Sequence, residues 1–259
     1  MAQHTISQES QDFAADGDYV TDFSIAGGTG GSFFCPLHES ITLSALATTG
    51  YNVAPGTTLR SANNADWEYI RGAVWNDDPA GELFDDTTNK NHTYALGLKW
   101  GEEFKVGEAQ WKWNFPPGKM TNPIGRSHWG DLQFLHCMAS NIGEKPEETK
   151  RKLIKWISVL WKLANGEEGI NPETIIKNTD LAEFCPDSSL PSSAGSLRYL
   201  LSNDSRFGAL DIPGRALGSI LHFIQDSYAV AHTRRTLLNS EAKTSNGKFN
   251  LIIQSIINK

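Results

Sequence analysis

The sequence predicts an all-α fold, on three observations. Residues 144–166, EKPEETKRKLIKWISVLWKLANG, carry apolar side chains at 153, 154, 157, 160, 161 and 164, the spacing of one helical face. Residues 214–235, GRALGSILHFIQDSYAVAHTRR, follow Pro213, a residue suited to a first helical turn, and are apolar on almost every side. Strand signals, alternating β-branched and aromatic residues between turns, are few.

The elements follow in order. Residues 1–31 read as a polar lead-in ending in a flexible glycine joint, Gly27–Gly31, ahead of one helical domain over 32–259. HESITLSALATTG, from His38, has apolar residues at 41, 43, 45 and 46 and a stop signal in Gly50. Asn63 and Asn64 are caps for a helix through ADWEYIRGAVW that ends by Pro79. Residues 79–127, aromatic-rich and closing on Pro116, Pro117 and Pro123, read as a long loop or a short hairpin. Ser127 is then a cap for HWGDLQFLHCMASNIG, and a Pro/Ser-rich loop over 186–193 leads to a short helix near 195–202. The charges at 144–155 read as the solvated side of their helix.

Composition excludes several functions. Lys and Arg number 23 against 30 Asp and Glu, and the resulting net charge of −7 speaks against a polybasic nucleic-acid or anionic-lipid binder. No nucleic-acid partner is expected. No apolar run approaches the ~20 residues of a membrane span. The opening MAQHTISQESQDFAADGDYV lacks the basic start and apolar core of a signal peptide, so the expected address is the cytoplasm, or export by a non-classical route. Cys35, Cys137 and Cys185 are too few and too scattered for a disulfide framework or a cysteine-rich zinc finger, and Cys137 reads as a core thiol. Eight Trp cluster between Trp67 and Trp161, as packing or as a rim at a lipid or substrate surface.

The chemistry concentrates in the last helix. His222 and Asp226 are four residues apart, so their side chains share a face, and His232 follows six residues later. Among Ile220, Leu221, Phe223 and Ile224, such groups must pair with each other or bind a metal, because an uncompensated buried charge is costly. A structural His–Asp hydrogen bond is the plain alternative. His38, His128, Asp77 and Asp78 lie on or at the ends of other predicted helices, and ligands from several helices build a metal site in a bundle core. His136, eight residues after His128, falls about 80° round the same expected helix and reads as core or as a hydrogen-bonding neighbour. His92 reads as a loop histidine.

The segment ALGSILHFIQDSYAVAH, with its H-x3-D-x5-H spacing, resembles the signature of the zinc-dependent bacterial phospholipases C, whose fold relatives include the single-strand-specific fungal nucleases. In that family the helix runs LHxxGDxxxPxH. An early His, an Asp after an aromatic-rich helix and a further His precede it, matched here in order by His38, Asp77 (or Asp78) and His128, over residues 33–235. SHWGDLQFLHCMA is similar to the branch of pseudomonad and intracellular-pathogen phospholipases C. The resemblance implies up to three zincs: one on Asp77, His128, His222 and Asp226, a second sharing Asp226 and taking His38, a third on His232. It implies hydrolysis of a phosphodiester in a phospholipid at a membrane surface, with Asp77 orienting or deprotonating the attacking water, or the same chemistry in a nuclease. Two departures stand out. The family's second zinc also uses the mature N-terminal residue, usually Trp, whereas 37 residues precede His38 here and none is Trp. Processing near 27–35, a folded-back lead-in, or Cys35 or another group would have to substitute. The family also places His-x3-Glu after the last His, and here only Glu241 lies in that region, which implies fewer metals or a chain that lacks its C-terminal end.

Overall fold

The computed structural model describes residues 37–83, 94–113, 120–141, 143–189, 191–202, 210–229 and 232. The lead-in, the glycine joint, Cys35, His92 and Glu241 lie outside them. The all-α expectation holds: the described residues form seven α-helices and three 3-10 turns, with one isolated antiparallel bridge, Ile175 to Ser196. The helices are α1 (Leu37–Thr49), α2 (Asn64–Trp75), α3 (Tyr94–Lys112), α4 (Pro123–Trp129), α5 (Pro146–Asn165), α6 (Leu197–Ser202) and α7 (Ile212–Asp226). None of the described helices is long and apolar enough to cross a membrane.

Local sequence explains most boundaries. Gly50, at φ 68°, follows α1 in the left-handed conformation that glycine adopts without steric cost. Asn63 caps α2, accepting from the backbone N–H groups of Ala65 and Asp66, while the Asp66 carboxylate accepts from the Asn63 N–H in return. Asp211 caps α7 through the N–H of Gly214, with proline in the first turn.

Three expectations are corrected. Residues 79–127 are not one long loop or a hairpin: helices α3 and α4 occupy much of the described stretch, and only its ends, such as 79–83 and 120–122, are irregular. Within α3, Gly107 serves packing: a Cβ there would lie 2.6 Å from the Gly125 Cα, so glycine lets α3 and α4 touch. Ser127 is not a cap. Asn122 caps α4, with Pro123 in its first turn, and Ser127 lies inside that helix. The expected helix from His128 instead stops at Trp129, and a 3-10 turn, Gln133–His136, follows before Cys137 turns left-handed at φ 58°. Lastly, α7 ends at Asp226 and His232 lies beyond it. Continued as a helix, the chain would carry His232 ~9 Å along the axis and about 120° away from Asp226. Leaving the helix is what lets the two meet.

Helices α2 and α7 form the centre. Ala216, Ile220 and Phe223 of α7 join Trp75 in one core with Phe134, Trp156 and Leu160, while Leu217 and Leu221 pack against a second with Ile70, Val74, Trp100 and Ile124. The two helices approach at Gly72 and Gly218, where a Cβ would stand 2.1 Å from the carbonyl oxygens of Arg215 and Tyr69 respectively. Between the cores runs a polar seam spaced 4-3-4 on α7: Arg215, Ser219, His222 and Asp226, all buried. Arg215 donates to Glu68 at 2.7 Å, Ser219 to Asn76 Oδ1 at 2.6 Å, and His222 Nδ1 lies 2.6 Å from the Ala73 carbonyl oxygen. Trp75 is core, stacked on Trp156 and donating to the Leu200 carbonyl, so it forms no rim. The core thiol is Cys185, while Cys137 is only half-buried.

Candidate metal centre

His38, Asp77, His128, His222, Asp226 and His232 converge at the C-terminal end of this seam, and His136 joins them. His38 comes from α1, Asp77 from just past α2, His128 from α4, His136 from the 3-10 turn, and His222 and Asp226 from α7. Three overlapping groups result: His38, Asp77 and His222; Asp77, His128 and His136; His136, His222 and Asp226. In each, one ligand atom per residue lies within 4.8 Å of the others. These buried His/Asp groups could hold a metal ion.

Asp226 faces two ways. Its Oδ2 is 2.9 Å from His222 Nε2 and 2.8 Å from His136 Nδ1, and its Oδ1 is 3.4 Å from His38 Nε2 and 3.3 Å from His232 Nδ1. Asp77 Oδ1 lies 3.5 Å from His128 Nε2 and 3.7 Å from His136 Nε2. Ligand atoms on a tetrahedral zinc stand about 3.3 Å apart, given bonds of about 2.0–2.1 Å. The observed separations bracket that value.

The ring tautomers fit the same purpose. His222 Nδ1 donates to the Ala73 carbonyl, His128 Nδ1 to the Ile124 carbonyl at 3.0 Å, and His38 Nδ1 to Gln225 Oε1 at 2.6 Å. Each donation leaves the Nε2 lone pair facing the cluster, as in metal-ligating histidines whose other nitrogen is anchored. His128 Nε2 and His136 Nε2 are buried with no hydrogen-bond partner. A lone pair on His222 Nε2 against a carboxylate oxygen at 2.9 Å is repulsive unless a proton or a cation sits between them.

Electrostatics point the same way. Burial raises the Asp226 carboxyl, but the imidazoles of His222, His136 and His232 packed against it outweigh burial and hold the group far below the carboxylate range. Burial likewise raises Asp77, and the neighbouring imidazoles of His222, His128 and His136 overcome it. Burial, with His222 nearby, pushes His38 down to about 4, and burial also lowers His136. His232 is raised by the Asp226 carboxylate 3.3 Å from its Nδ1. The cluster thus combines ionised carboxylates with two imidazoles, His38 and His136, whose burial opposes protonation, a donor set suited to a cation.

Asp78, the alternative to Asp77, turns away from the cluster. Its two oxygens accept from the backbone N–H groups of Glu82 and Leu83 at 2.9 and 2.8 Å, and burial pushes its carboxyl up to about 8. His136 is the residue that the sequence reading misplaced: the break after Trp129 swings it back between Asp77 and Asp226, rather than 80° round one helix. Asn76 and Gln225 carry no recognisable motif yet organise the site. Asn76 donates to the Leu135 carbonyl at 2.9 Å, beside His136, and its own carbonyl accepts from Ser127 at 2.9 Å, beside His128. Gln225 bridges His38 to Thr42, donating to the Thr42 hydroxyl at 2.9 Å. The side chains of His38 and His232 are 14% and 16% exposed, against 0–3% for His128, His136 and His222, so the centre opens toward the first pair.

Comparison of the chain with protein-family models, with curated proteins and with solved structures finds no match.

Proposed function

We propose that the protein is a zinc-dependent phosphodiester hydrolase, and specifically a phospholipase C releasing a phosphorylated headgroup and diacylglycerol from phosphatidylcholine or a similar lipid. The observation that carries this reading is convergence. His38, Asp77, His128, His222, Asp226 and His232, matched to the phospholipase C pattern by order and spacing, lie together in one buried cluster with orphaned imidazole nitrogens. The all-His/Asp donor set suits zinc better than magnesium or calcium, which prefer oxygen.

Asp77, His128, His222 and Asp226 would hold one metal, and the second oxygen of Asp226 reaches toward His38 and His232. A zinc held there would supply a more acidic water and neutralise charge on the phosphoryl oxygens. The oxygen of that water would bond to phosphorus as the bond from phosphorus to the glycerol oxygen breaks, and a proton given up by the water would end on the glycerol oxygen. Asp77, held ionised, orients the water rather than keeping its proton, since a carboxylate of such low basicity is a weak general base. Burial of His128, His136 and His222 keeps bulk water from the ligands, and access is left on the side of His38 and His232.

The test is zinc content of the purified full chain, followed by initial rates on short-chain phosphatidylcholine and on single-stranded DNA, with and without chelator. The expected result is bound zinc, diacylglycerol release and loss of both with chelator. Robust DNA cleavage without diacylglycerol would overturn the lipase assignment in favour of a nuclease. A folded chain that takes up no metal would overturn the whole reading and leave a non-catalytic helical binding protein.

A further inference from the structure

The three ligand groups overlap, and the overlap limits what each can hold. His222 belongs to two of them. Its Nδ1 lies 2.6 Å from the Ala73 carbonyl and carries the hydrogen, so a metal is met through Nε2 alone, which stands 2.9 Å from Asp226. One lone pair serves one metal. A cation seated by Asp226 Oδ2 therefore takes His222, and the group around His38 keeps His38 and Asp77, with Asp226 Oδ1 3.4 Å from His38 Nε2. Three protein ligands leave the fourth position of a tetrahedral zinc to be filled.

Glu39 is the next residue on α1. It is 2% exposed, and its Oε2 is buried with no hydrogen-bond partner. A lone carboxylate oxygen in such a place is unfavourable unless a cation or donor meets it. Its electrostatic neighbours are Asp77 and His222, two members of the same three-residue group whose third member, His38, adjoins it in the chain. Two buried carboxylates repel each other, and a shared cation between them removes that repulsion. Glu39 stands outside the three groups by mutual distance, so a change of its side-chain rotamer is part of what the proposal requires.

Resting on the metal-centre reading above, we propose that Glu39 is a protein ligand of the metal held by His38 and Asp77, its free Oε2 completing that position. It supplies from within the helical domain what an N-terminal amine supplies in the phospholipase C pattern.

The experiment is native mass spectrometry and zinc titration of the full chain beside Glu39→Gln, His38→Ala and the double variant. Glu39→Gln is expected to lose one zinc, or to bind one equivalent at least tenfold more weakly. The double variant should lose no more than His38→Ala alone. The metal-free Glu39→Gln protein is expected to melt no lower than the metal-free parent, because the amide removes a lone buried charge. Unchanged zinc stoichiometry and affinity in Glu39→Gln would overturn the assignment while leaving the metal centre standing. A parent chain that binds no zinc would overturn both. Zinc anomalous scattering from crystals of the unaltered chain decides the matter without a variant: a metal about 2.0–2.2 Å from the Glu39 carboxylate is expected, and none within about 4 Å overturns it.

Discussion

Asn76 shows how much a single uncharged residue does here. Its side chain is fully buried, donating to the Leu135 carbonyl and accepting from Ser219, one turn before His222. Asn76→Ala should therefore cost roughly 2–6 kcal/mol in denaturant unfolding, since it strands two buried polar groups at about 1–3 kcal/mol each. Ser219→Ala should cost about 1–3 kcal/mol, and the two should be non-additive because they share a bond. Additive losses would mean the hub is not a unit. At the ligands, His222→Ala or Asp226→Ala should remove bound metal and lower Tm, because metal supports only the folded state. Unchanged metal content and melting in either would show the site to be misassigned. His222 and Asp226 were legible in the sequence because their four-residue spacing sits in an apolar helix. Asn76, Gln225 and Glu39 were not, because an amide or a carboxylate gains meaning only from partners far along the chain, such as Leu135 for Asn76 and His38 for Gln225.

At the scale of elements, the crossing of α2 and α7 does most to place the site. The His222 bond to the Ala73 carbonyl exists only because Gly72 and Gly218 let the backbones meet. Gly218→Ala should then destabilise by about 3 kcal/mol or more, since its Cβ meets backbone on both sides, the Tyr69 oxygen at 2.1 Å and the Ala73 nitrogen at 2.7 Å. A melting curve within 1–2 °C of the parent would contradict this. Helices α1, α2, α5 and α7 were readable from stop signals and periodicity, whereas α3, an aromatic-rich stretch between prolines and turns, was read as loop or hairpin although its Gly107 is what packs on α4. The path of His136 was hidden too, because a 3-10 turn leaves no apolar period to read. A peripheral element gives a pH test. Arg151 and Lys155 of α5 hold Glu183 in the 3-10 turn Asp180–Glu183 and pull its carboxyl down to about 2. A depressed acid stabilises above its unfolded value near ~4.3 and loses that contribution as pH falls through the folded one. Glu183→Gln should thus lower Tm slightly at pH 7, as an exposed ion cluster does, with the gap closing between about pH 4 and pH 2. A gap that persists at pH 2 would assign the effect to packing.

At the scale of the molecule, charge sets which surface the protein can approach. The net charge of −7 repels anionic interfaces at long range, whereas choline and ethanolamine lipids present none. On the phospholipase reading, substrate and protein surface are matched by neutrality rather than by attraction. Binding to phosphatidylcholine vesicles should then be nearly independent of ionic strength. Binding to phosphatidylglycerol-rich vesicles should be weak at about 0.01 M salt, where screening extends over ~30 Å, and should improve toward about 0.1 M, where it falls to ~10 Å. A counterion-release binder does the reverse, losing affinity steeply as salt rises. Vesicle flotation across that range separates the two. Tight low-salt binding to anionic vesicles, lost on adding salt, would show that a local basic surface overrides the net charge, and it would return polyanions such as single-stranded DNA to first place among substrates.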